Sequence, residues 1–186
     1  VLEFVAQAKA NPGKTSYGSG GIGTSVHLSG ELFKRMAGIE MTHVPYRGAA
    51  PALQDVIAGR IDVIFDNITA SLPQVQNGAV RGLAVTAARR VAAAAQLPTI
   101  AEAGLPEFDV STWFALFVPA KTPHDIIARI NADAVSALGH PMVKERLEQF
   151  GATLVGSTPE ELAAFLKAEM DKWGPVIREA KIKADE

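Results

Sequence analysis

Residues 17–24 of this 186-residue chain combine the residue types of an anion-binding turn. Four glycines in eight positions allow the backbone to approach a ligand closely, and hydroxyl side chains between them add hydrogen-bond donors. A helix predicted to begin near Thr24 directs free N–H groups and the positive end of its dipole at the same place. The turn therefore predicts a site for a carboxylate or a phosphate, formed by Ser19, Gly20, Gly21, Gly23 and Thr24. A glycine-rich turn without any ligand is the local alternative.

Two further turns of the sequence have the same character. Arg47, Gly48 and Ala49 stand between a predicted strand and a predicted helix, so a helix start again lies beside a strand end, with a guanidinium next to it. Asp66 follows a third strand, where it can accept a hydrogen bond from a ligand hydroxyl or amine, or else cap the helix that follows. Because ligands of open α/β sheets lie at the carboxyl ends of the strands, the three turns predict one cleft.

The four histidines give little independent evidence of chemistry. His27 lies near the start of the helix after Thr24, where it either faces the anion site or packs beneath it. His43 lies within a strand and is predicted as a core or surface imidazole, and His124 and His140 are predicted to be solvated. No pair of histidines or carboxylates has the spacing of metal ligands, and neither a G-x-S-x-G elbow nor a convincing Ser–His–Asp set is present. We therefore predict no metal site and no catalytic residue.

The glycines at 18, 20 and 23 also satisfy G-x-G-x-x-G, the pattern of a dinucleotide-binding turn. That fingerprint requires a buried strand before the turn and an acidic residue at the end of the next strand. Here the preceding strand is short and polar, and the next strand ends in Tyr46-Arg47 without a carboxylate. Because Arg47 could bind a 2′-phosphate, an NADP-binding α/β oxidoreductase that uses the 18–23 loop is the alternative function. The leading interpretation, a binding protein, needs no cofactor.

Composition excludes several other classes of function. The 18 basic and 20 acidic residues give a net charge of −2 without a long run of either sign, so the sequence offers no basic patch for a nucleic acid. The apolar stretches are far shorter than the roughly 20 residues that span a bilayer, so the chain is not expected to be membrane-embedded. Without cysteine there is no disulfide, no thiolate metal site and no thiol nucleophile. We therefore predict a soluble globular protein.

The turns need alternating strands and helices to hold them, and the sequence supplies that pattern. Apolar periodicity and breakers predict helices over 2–10, 24–37, 50–58 and 71–76 and strands over 14–17, 41–46, 61–65 and 82–86, which indicates βαβ units on a mostly parallel sheet. After a boundary near 107–115 we predict a strand over 110–119, helices over 124–138 and 142–150 and a strand over 153–155. Alternation of Trp113, Phe114 and Phe117 predicts one buried face on the first of these strands. Thr158 and Glu161 predict a capping box at the last helix.

Several motifs together resemble one protein family over essentially the whole chain. They are YGSGGIGT at 17–24, HVPYRGAAPA at 43–52, DVIFDN at 62–67 and LPTIAEAG at 97–104. The family is that of the periplasmic solute-binding proteins of tripartite tricarboxylate transporters, the Bug family. The resemblance implies an α/β, type II periplasmic binding protein-like fold with a mostly parallel βαβ sheet. It implies two lobes that close around a small carboxylate and deliver it to membrane transporter subunits.

The resemblance also implies roles for individual residues. In the family, backbone groups and waters in the cleft hold the carboxylate. The ligand-binding positions implied here are Ser19, Gly20, Gly21, Gly23, Thr24, Gly48, Ala49 and Asp66, with His27 and Arg47 as weaker candidates. Neither a cofactor nor catalysis is implied.

The chain is shorter than members of this family, and the resemblance implies that roughly the N-terminal third has no counterpart in it. We therefore expect residues 1–111 to form a nearly complete second lobe, which binds the ligand, and residues 112–186 to form the C-terminal part of a partial first lobe. A signal peptide for the periplasm is expected in the missing part. We also expect the helices after Thr122 to expose an apolar face, which the chain covers by forming a homodimer or by swapping elements. Half a site without binding competence is a third possibility.

Overall fold

The computed structural model describes residues 1–149 and 152–183 of the chain, which form two compact units. Of the described residues, unit 1 comprises Val1–Thr112 and residues 175–183, and unit 2 comprises those between Trp113 and Gly174. Among the described residues, no helix combines the length and the apolar character needed to cross a bilayer.

Unit 1 is built on a parallel three-stranded sheet. Its strands are β1 (Ser16–Ser19), β2 (Thr42–Pro45) and β3 (Val63–Ile64), in the spatial order β2-β1-β3. The helices α1 (Leu2–Ala10), α2 (Ser25–Ala37), α3 (Ala49–Ile57) and α4 (Ile68–Gln76) alternate with them along the chain. Parallel strands joined by helices confirm the predicted α/β fold class.

Helix α2 shows how the local sequence sets the ends of an element. Thr24 caps its N-terminus, because the Thr24 hydroxyl accepts a hydrogen bond from the His27 amide at 3.4 Å. Gly38 ends the helix with a φ of 61°, a left-handed conformation that favours glycine, and its N–H donates to the Lys34 carbonyl. Both ends lie where the sequence predicts them.

The core of unit 1 forms where α2 packs on the sheet. Phe33 of α2 lies among three other phenylalanines, with ring centroids 6.1 Å from Phe4, 5.2 Å from Phe65 and 6.1 Å from Phe108. Tyr17 of β1 is fully buried and faces α2 at Gly30. A Cβ on Gly30 would stand only 2.3 Å from the tyrosine ring. Glycine at this position therefore leaves the space that the central strand needs for Tyr17.

Residues 77–112 of unit 1 are less regular than predicted, with a 3₁₀ turn at Ala92–Ala94. The strand predicted over 82–86 is wrong, because within the described residues it is reduced to a single parallel bridge between Val85 and Thr99. The strand predicted over 110–119 is also wrong. Val110 donates to the Thr86 carbonyl at 2.9 Å, but no ladder continues beyond it in the described part of the chain. A strand needs such a ladder to satisfy its backbone groups.

Unit 2 contains α5 (His124–Gly139), α6 (Pro141–Gln149) and most of α7 (Pro159–Glu179), which continues into unit 1 from Pro175. These helices confirm the predictions, except that Phe150, the predicted end of the second one, lies outside the described residues. The capping box is also confirmed: the Thr158 amide donates to Glu161 Oε2 at 2.8 Å, and the Glu161 amide donates to Thr158 Oγ1 at 3.2 Å. The strand predicted over 153–155 is wrong, since those residues pair with no strand in the described ranges.

The aromatic side chains at the start of unit 2 are only partly covered. Trp113 packs edge-on against Phe165, with ring centroids 5.3 Å apart, and its Nε1 donates to Glu169. Phe114 and Phe117 are 94% and 63% exposed. The prediction of a buried face across these residues is therefore wrong, because the segment pairs with no strand among the residues that the structure describes.

Candidate functional site

The carboxyl ends of the three strands lie at one edge of the sheet, because the strands are parallel. The glycine loop (residues 18–24) begins in the last two residues of β1 and continues to the start of α2, and a second turn (residues 46–49) follows β2. The two turns are bonded to each other: the Tyr46 amide donates to the Ser19 carbonyl at 2.9 Å, and the Gly48 amide donates to the Gly20 carbonyl at 3.1 Å. The structure therefore brings the first two predicted turns together.

The close approach of the two turns depends on glycine. A Cβ on Gly20 would stand 3.0 Å from the Ala49 nitrogen and 3.2 Å from the Gly48 carbonyl carbon, so a side chain there would push the turns apart. Gly48 has a φ of 110°, which residues with a side chain rarely adopt. It is the N-cap of α3, and no side chain caps that helix. The N–H groups at the start of α3 are thus left for an external acceptor such as an anion.

The hydroxyls of Ser19 and Thr24 make their bonds inside the glycine loop. Thr24 Oγ1 donates to the Gly21 carbonyl at 2.8 Å. Ser19 is fully buried, and its Oγ lies 3.1 Å from both the Gly21 carbonyl and the Gly21 amide. Both hydroxyls hydrogen-bond the backbone of Gly21 within the loop. The structure therefore differs from the expectation that these hydroxyls donate to a ligand.

Two histidines lie beneath the glycine loop and contact it. His27 is 5% exposed, and its Nδ1 accepts a hydrogen bond from the Gly23 amide at 3.0 Å. His43 Nε2 lies 2.6 Å from Ser19 Oγ. The two imidazoles are stacked, with ring centroids 3.8 Å apart and an angle of 7° between their planes. Of the two placements predicted for His27, the structure shows the one in which it packs beneath the site.

The contact of His43 with the loop is the feature that sequence reasoning missed. The parallel register pairs His43 with Tyr17, and the two rings stack with centroids 4.8 Å apart. Residues opposite each other in neighbouring parallel strands point to the same face of the sheet. The register of the two motifs is therefore the signal that could have placed His43 beside Tyr17 and under Ser19.

Burial keeps these imidazoles neutral. It lowers the pKa of His27, against the attraction of Glu31, whose Oε1 lies 4.0 Å from Nε2. It also lowers the pKa of His43 to about 4, and the neighbouring His27 adds to this effect. Glu31 accepts hydrogen bonds from Lys34 Nζ, at 2.8 and 3.0 Å, and from the Tyr17 hydroxyl. Burial and Glu31 raise the pKa of Tyr17 above its usual range, so the phenol remains a donor.

The contact between Ser19 and His43 lacks the features of a catalytic pair. A serine nucleophile must reach a substrate, whereas Ser19 has no exposed surface. Such a pair also needs a group that orients the imidazole, and no carboxylate in the described ranges is hydrogen-bonded to His43. Nor do the described residues include a group of three His, Asp or Glu side chains placed to hold a metal ion. The contact between Ser19 and His43 therefore stabilises the conformation of the glycine loop.

Arg47 and Asp66 have side chains without an internal partner. Arg47 is exposed and makes neither a hydrogen bond nor an ion pair with the residues that the structure describes. Both carboxylate oxygens of Asp66 are buried and have no hydrogen-bond partner among those residues. Burial raises the pKa of this carboxyl, and the neighbouring Asn67 amide, which lowers the pKa, offsets only part of that effect. The alternative that Asp66 caps the following helix is wrong, because Asn67 is the N-cap of α4 and no side chain caps that helix.

Comparison with known proteins shows that a family model matches almost the whole chain and that related proteins align with the chain over nearly its full length. The family model described as "Tripartite tricarboxylate transporter family receptor" matches residues 1–182. A UPF0065 protein in the tcbD-tcbE intergenic region of Pseudomonas sp. (strain P51) is 40% identical, over 100% of this chain and 56% of that protein. Protein BugT of Bordetella pertussis (strain Tohama I) is 35% identical, over 97% of this chain and 56% of its own length.

Solved structures share the fold. R. palustris Rpa4515 with adipate matches with a TM-score of 0.84 and 38% identity, over 98% of this chain and 61% of that chain. MatC (Rpa3494) from Rhodopseudomonas palustris with bound malate matches with a TM-score of 0.79 and 31% identity, over 95% of this chain and 61% of that chain. The periplasmic binding protein BugD matches with a TM-score of 0.80 and 29% identity, over 98% of this chain and 62% of that chain. The predicted periplasmic binding protein-like fold is confirmed.

The chain spans about half the length of these two curated relatives and about three-fifths of these solved chains. The family that the motifs resemble and the family that matches are the same. The matched family and structures are receptors and binding proteins rather than enzymes, which agrees with the predicted binding protein and disfavours the NADP-linked oxidoreductase.

Proposed function

This chain belongs to the tripartite tricarboxylate transporter receptor family, and on that basis we propose that it binds a small organic dicarboxylate at the sheet edge of unit 1. The observation that carries the proposal is the bonded pair of turns after β1 and β2. It brings together the starts of α2 and α3, and the start of α3 has no side-chain cap. Two converging helix starts offer N–H donors and two positive dipole ends to one carboxylate.

The internal bonds of the turns divide the candidate residues into two groups. The amides of Gly21, Gly23 and Gly48 already donate within the protein, so in this proposal these residues shape the site. Gly20 and Thr24 act in the same way, through close approach and capping. The donors proposed for the carboxylate are the amides of Ala49 and Ala50 at the start of α3, because the next residue, Pro51, has no N–H.

Two side chains are proposed to recognise the rest of the ligand. The neighbouring structures with adipate and malate make dicarboxylates the first ligands to test. The unpaired guanidinium of Arg47 suits the second carboxylate of such a ligand. Asp66 is proposed to accept a hydrogen bond from a ligand hydroxyl, which malate has and adipate lacks. Because both of its oxygens are buried, the residues that cover them must move aside before a ligand can reach them.

A thermal-shift screen of this chain against mono-, di- and tricarboxylates, with NADP as control, tests the proposal. Ligand at about a hundred times its dissociation constant adds about 2.7 kcal/mol to the free energy of unfolding, which raises Tm by about 5–10 °C for a chain of this size. We expect a shift of that order with a dicarboxylate. A shift with NADP and none with any carboxylate would overturn the proposal in favour of a dinucleotide site.

A pair of glycine variants tests where the ligand binds. Gly20→Ala places a methyl group 3.0 Å from the Ala49 nitrogen, so the turns must separate and the carboxylate-induced shift should be lost. Gly139→Ala is the matched control, because a Cβ on Gly139 meets nothing within 4 Å. Equal carboxylate shifts in both variants would show that the ligand binds away from these turns.

The role in transport is proposed from the family. We propose that the protein acts in the periplasm, directed there by a signal peptide, and presents its ligand to the membrane subunits of a tripartite transporter. Residues 1–111 are proposed as the second, ligand-binding lobe and residues 112–186 as the C-terminal part of the first lobe. Deletion of the gene should abolish uptake of the dicarboxylate identified in the screen, and unchanged uptake would contradict this role.

A homodimer is proposed from the surface of unit 2. Its helices, the segment before them and the segment between α6 and α7 expose large apolar side chains, among them Phe114, Leu116, Phe117, Ile126, Met142, Val155 and Met170. Exposed apolar side chains in this number favour a covering partner, and a second copy is the partner proposed here. Light scattering should give the mass of two chains. A monodisperse monomer that binds no apolar dye would overturn the dimer.

A further inference from the structure

We propose that His27 and His43 are positioning residues for the glycine loop: their neutral, stacked rings hold it in the conformation that accepts a carboxylate, and protonation of the rings releases it. The inference rests on the proposed function, because it adds a pH dependence to the same site. Neither ring is proposed to touch the ligand, since both bond the inner side of the loop.

Each ring contacts a different part of the loop. A backbone N–H can only donate, so the 3.0 Å contact from Gly23 makes Nδ1 of His27 an unprotonated acceptor and places its hydrogen on Nε2. His43 Nε2 lies 2.6 Å from Ser19 Oγ, and Ser19 in turn bonds both the amide and the carbonyl of Gly21. The two rings therefore support the loop at Ser19, Gly21 and Gly23.

Protonation changes these contacts directly. A proton on Nδ1 of His27 would replace an acceptor with a donor that faces the Gly23 amide, so the bond would be lost and Gly23 would have to move. A charge on either ring also opposes a charge on the other, because their centroids are 3.8 Å apart. We expect the loss of loop geometry to outweigh the attraction of an imidazolium for a carboxylate that it does not touch.

The charged and titratable groups around the stack come from α2 and β1. Glu31 of α2, 4.0 Å from His27 Nε2, favours a proton on the stack, but its charge is shared with Lys34 at 2.8 and 3.0 Å. Lys34 opposes protonation of both rings. Tyr17 of β1 donates its phenol hydrogen to Glu31 and stacks on His43. Burial and Lys34 thus favour neutral rings, and Glu31 is the group that favours charge.

Two substitutions that give side chains of similar shape distinguish the effect of protonating the histidines from the support that the histidines give to the glycine loop. His27→Asn keeps an acceptor oxygen near the place of Nδ1, and His43→Gln keeps a polar group near the place of Nε2, but neither new side chain titrates. Calorimetry would measure malate and adipate binding to the wild-type chain and to the double variant, from about pH 7.5 to about pH 4. This range spans the usual pKa of histidine and the lowered pKa of His43. Titration of the ligand affects both proteins alike, so it cancels in the ratio of their affinities.

With the titration extended to about pH 4, where His43 takes up its proton, we expect the wild-type affinity to fall by about tenfold more than the affinity of the double variant. That factor is the effect of one displaced proton over one pH unit. An equal pH dependence in the two proteins would overturn the proposal. So would a wild-type affinity that rises at acid pH relative to the variant, since the Coulombic attraction would then outweigh loop release.

Nuclear magnetic resonance of the wild-type chain tests the inference without a variant or a ligand. We expect the amide resonances of Gly21 and Gly23 to shift in step with the protonation of His27 and His43. If they do so while no carboxylate binds at any pH, the positioning of the loop stands and the proposed function fails. Amide resonances that stay fixed throughout the histidine titration would overturn the positioning role itself.

Discussion

Single side chains in unit 1 are fitted to their neighbours with little tolerance, and Gly30 is the clearest case. The Tyr17 ring is fully buried between the sheet and α2, with its hydroxyl bonded to Glu31. It therefore has no free space into which it could withdraw if the helix carried a larger residue. The absence of a side chain at Gly30 is a packing requirement of the layer that supports the glycine loop.

Gly30→Ala should destabilise the protein although alanine is the better helix former. The helix propensity gain is about 1 kcal/mol, and overpacking costs about 1–3 kcal/mol. A Cβ only 2.3 Å from the Tyr17 ring places the overpacking cost at the upper end of that range, so we expect a net loss of about 1–2 kcal/mol. Urea denaturation would measure the difference. Gly139→Ala, with nothing within 4 Å of the new Cβ, is the control and should leave the free energy of unfolding unchanged or slightly higher. Equal stability of the two variants would contradict this account of the core.

Asp66→Asn should stabilise the folded protein at neutral pH. Both Asp66 oxygens are buried without a partner, and the raised pKa of the carboxyl means that its charged form is the one disfavoured by folding. Removing that charge should raise the free energy of unfolding by on the order of 1 kcal/mol. The gain should shrink as the pH falls toward the usual pKa of aspartate, where wild-type Asp66 is itself protonated. A loss of stability in the variant at pH 7 would show that Asp66 has a stabilising partner.

At the scale of elements, the helices could be predicted because their signals are local. Thr24 and Gly38 set the ends of α2, and each acts within a few residues of itself. The strands over 82–86 and 110–119 were wrong because a strand is defined by a partner elsewhere in the chain. Val85 forms a single bridge, and Val110 makes a single hydrogen bond. The apolar residues in these two segments therefore do not indicate that the segments pair with a neighbouring strand.

Some features of the candidate site can likewise be predicted from local sequence, whereas others depend on which strands lie side by side. The glycine loop could be predicted from its own residues, since glycine spacing and a helix cap lie next to each other in sequence. Its bonding to the turn after β2 depends on the order of the sheet, which places β1 beside β2. The stack of His27 on His43 could not be predicted, because it needs both the register of β1 with β2 and the packing of α2 over β1.

Thr158→Ala should weaken the start of α7. The variant removes the hydroxyl that accepts from the Glu161 amide, and loss of an N-cap acceptor costs about 1 kcal/mol. Hydrogen exchange at the Glu161 amide should become faster, and Tm should fall. Thr158→Ser keeps the hydroxyl and serves as the control. A fall in Tm of equal size in both variants would mean that the methyl group, and not the cap, is what matters.

For the whole molecule, acid should weaken folding through the two stacked histidines. The pKa of His43 is about 4 in the folded state against 6.5 for the free group, and that of His27 is also lowered, so below pH 6.5 the unfolded chain binds protons that the folded chain does not. Their contribution to stability is fully present above pH 6.5 and is lost as the pH falls toward 4. Each histidine contributes a slope of at most about 1.4 kcal/mol per pH unit.

Denaturation at a series of pH values would check this dependence, with the His27→Asn/His43→Gln double variant as reference. The difference between the two proteins isolates the histidines from the carboxyl groups, which titrate in both. We expect the wild-type chain to lose stability relative to the variant between pH 6.5 and about pH 4. A constant difference across that window would contradict the burial of neutral imidazoles.

The two tryptophans and the two tyrosines of the chain are segregated between the units. Trp113 and Trp173 both donate from Nε1 to Glu169 Oε2, at 3.1 and 3.0 Å, within unit 2, whereas Tyr17 and Tyr46 lie in unit 1. Light absorbed selectively by indole is therefore emitted from unit 2 alone, and the proposed ligand site contributes no indole emission of its own. A change in tryptophan fluorescence on adding a carboxylate would consequently report on the surroundings of the indoles in unit 2 and not on those of the turns in unit 1.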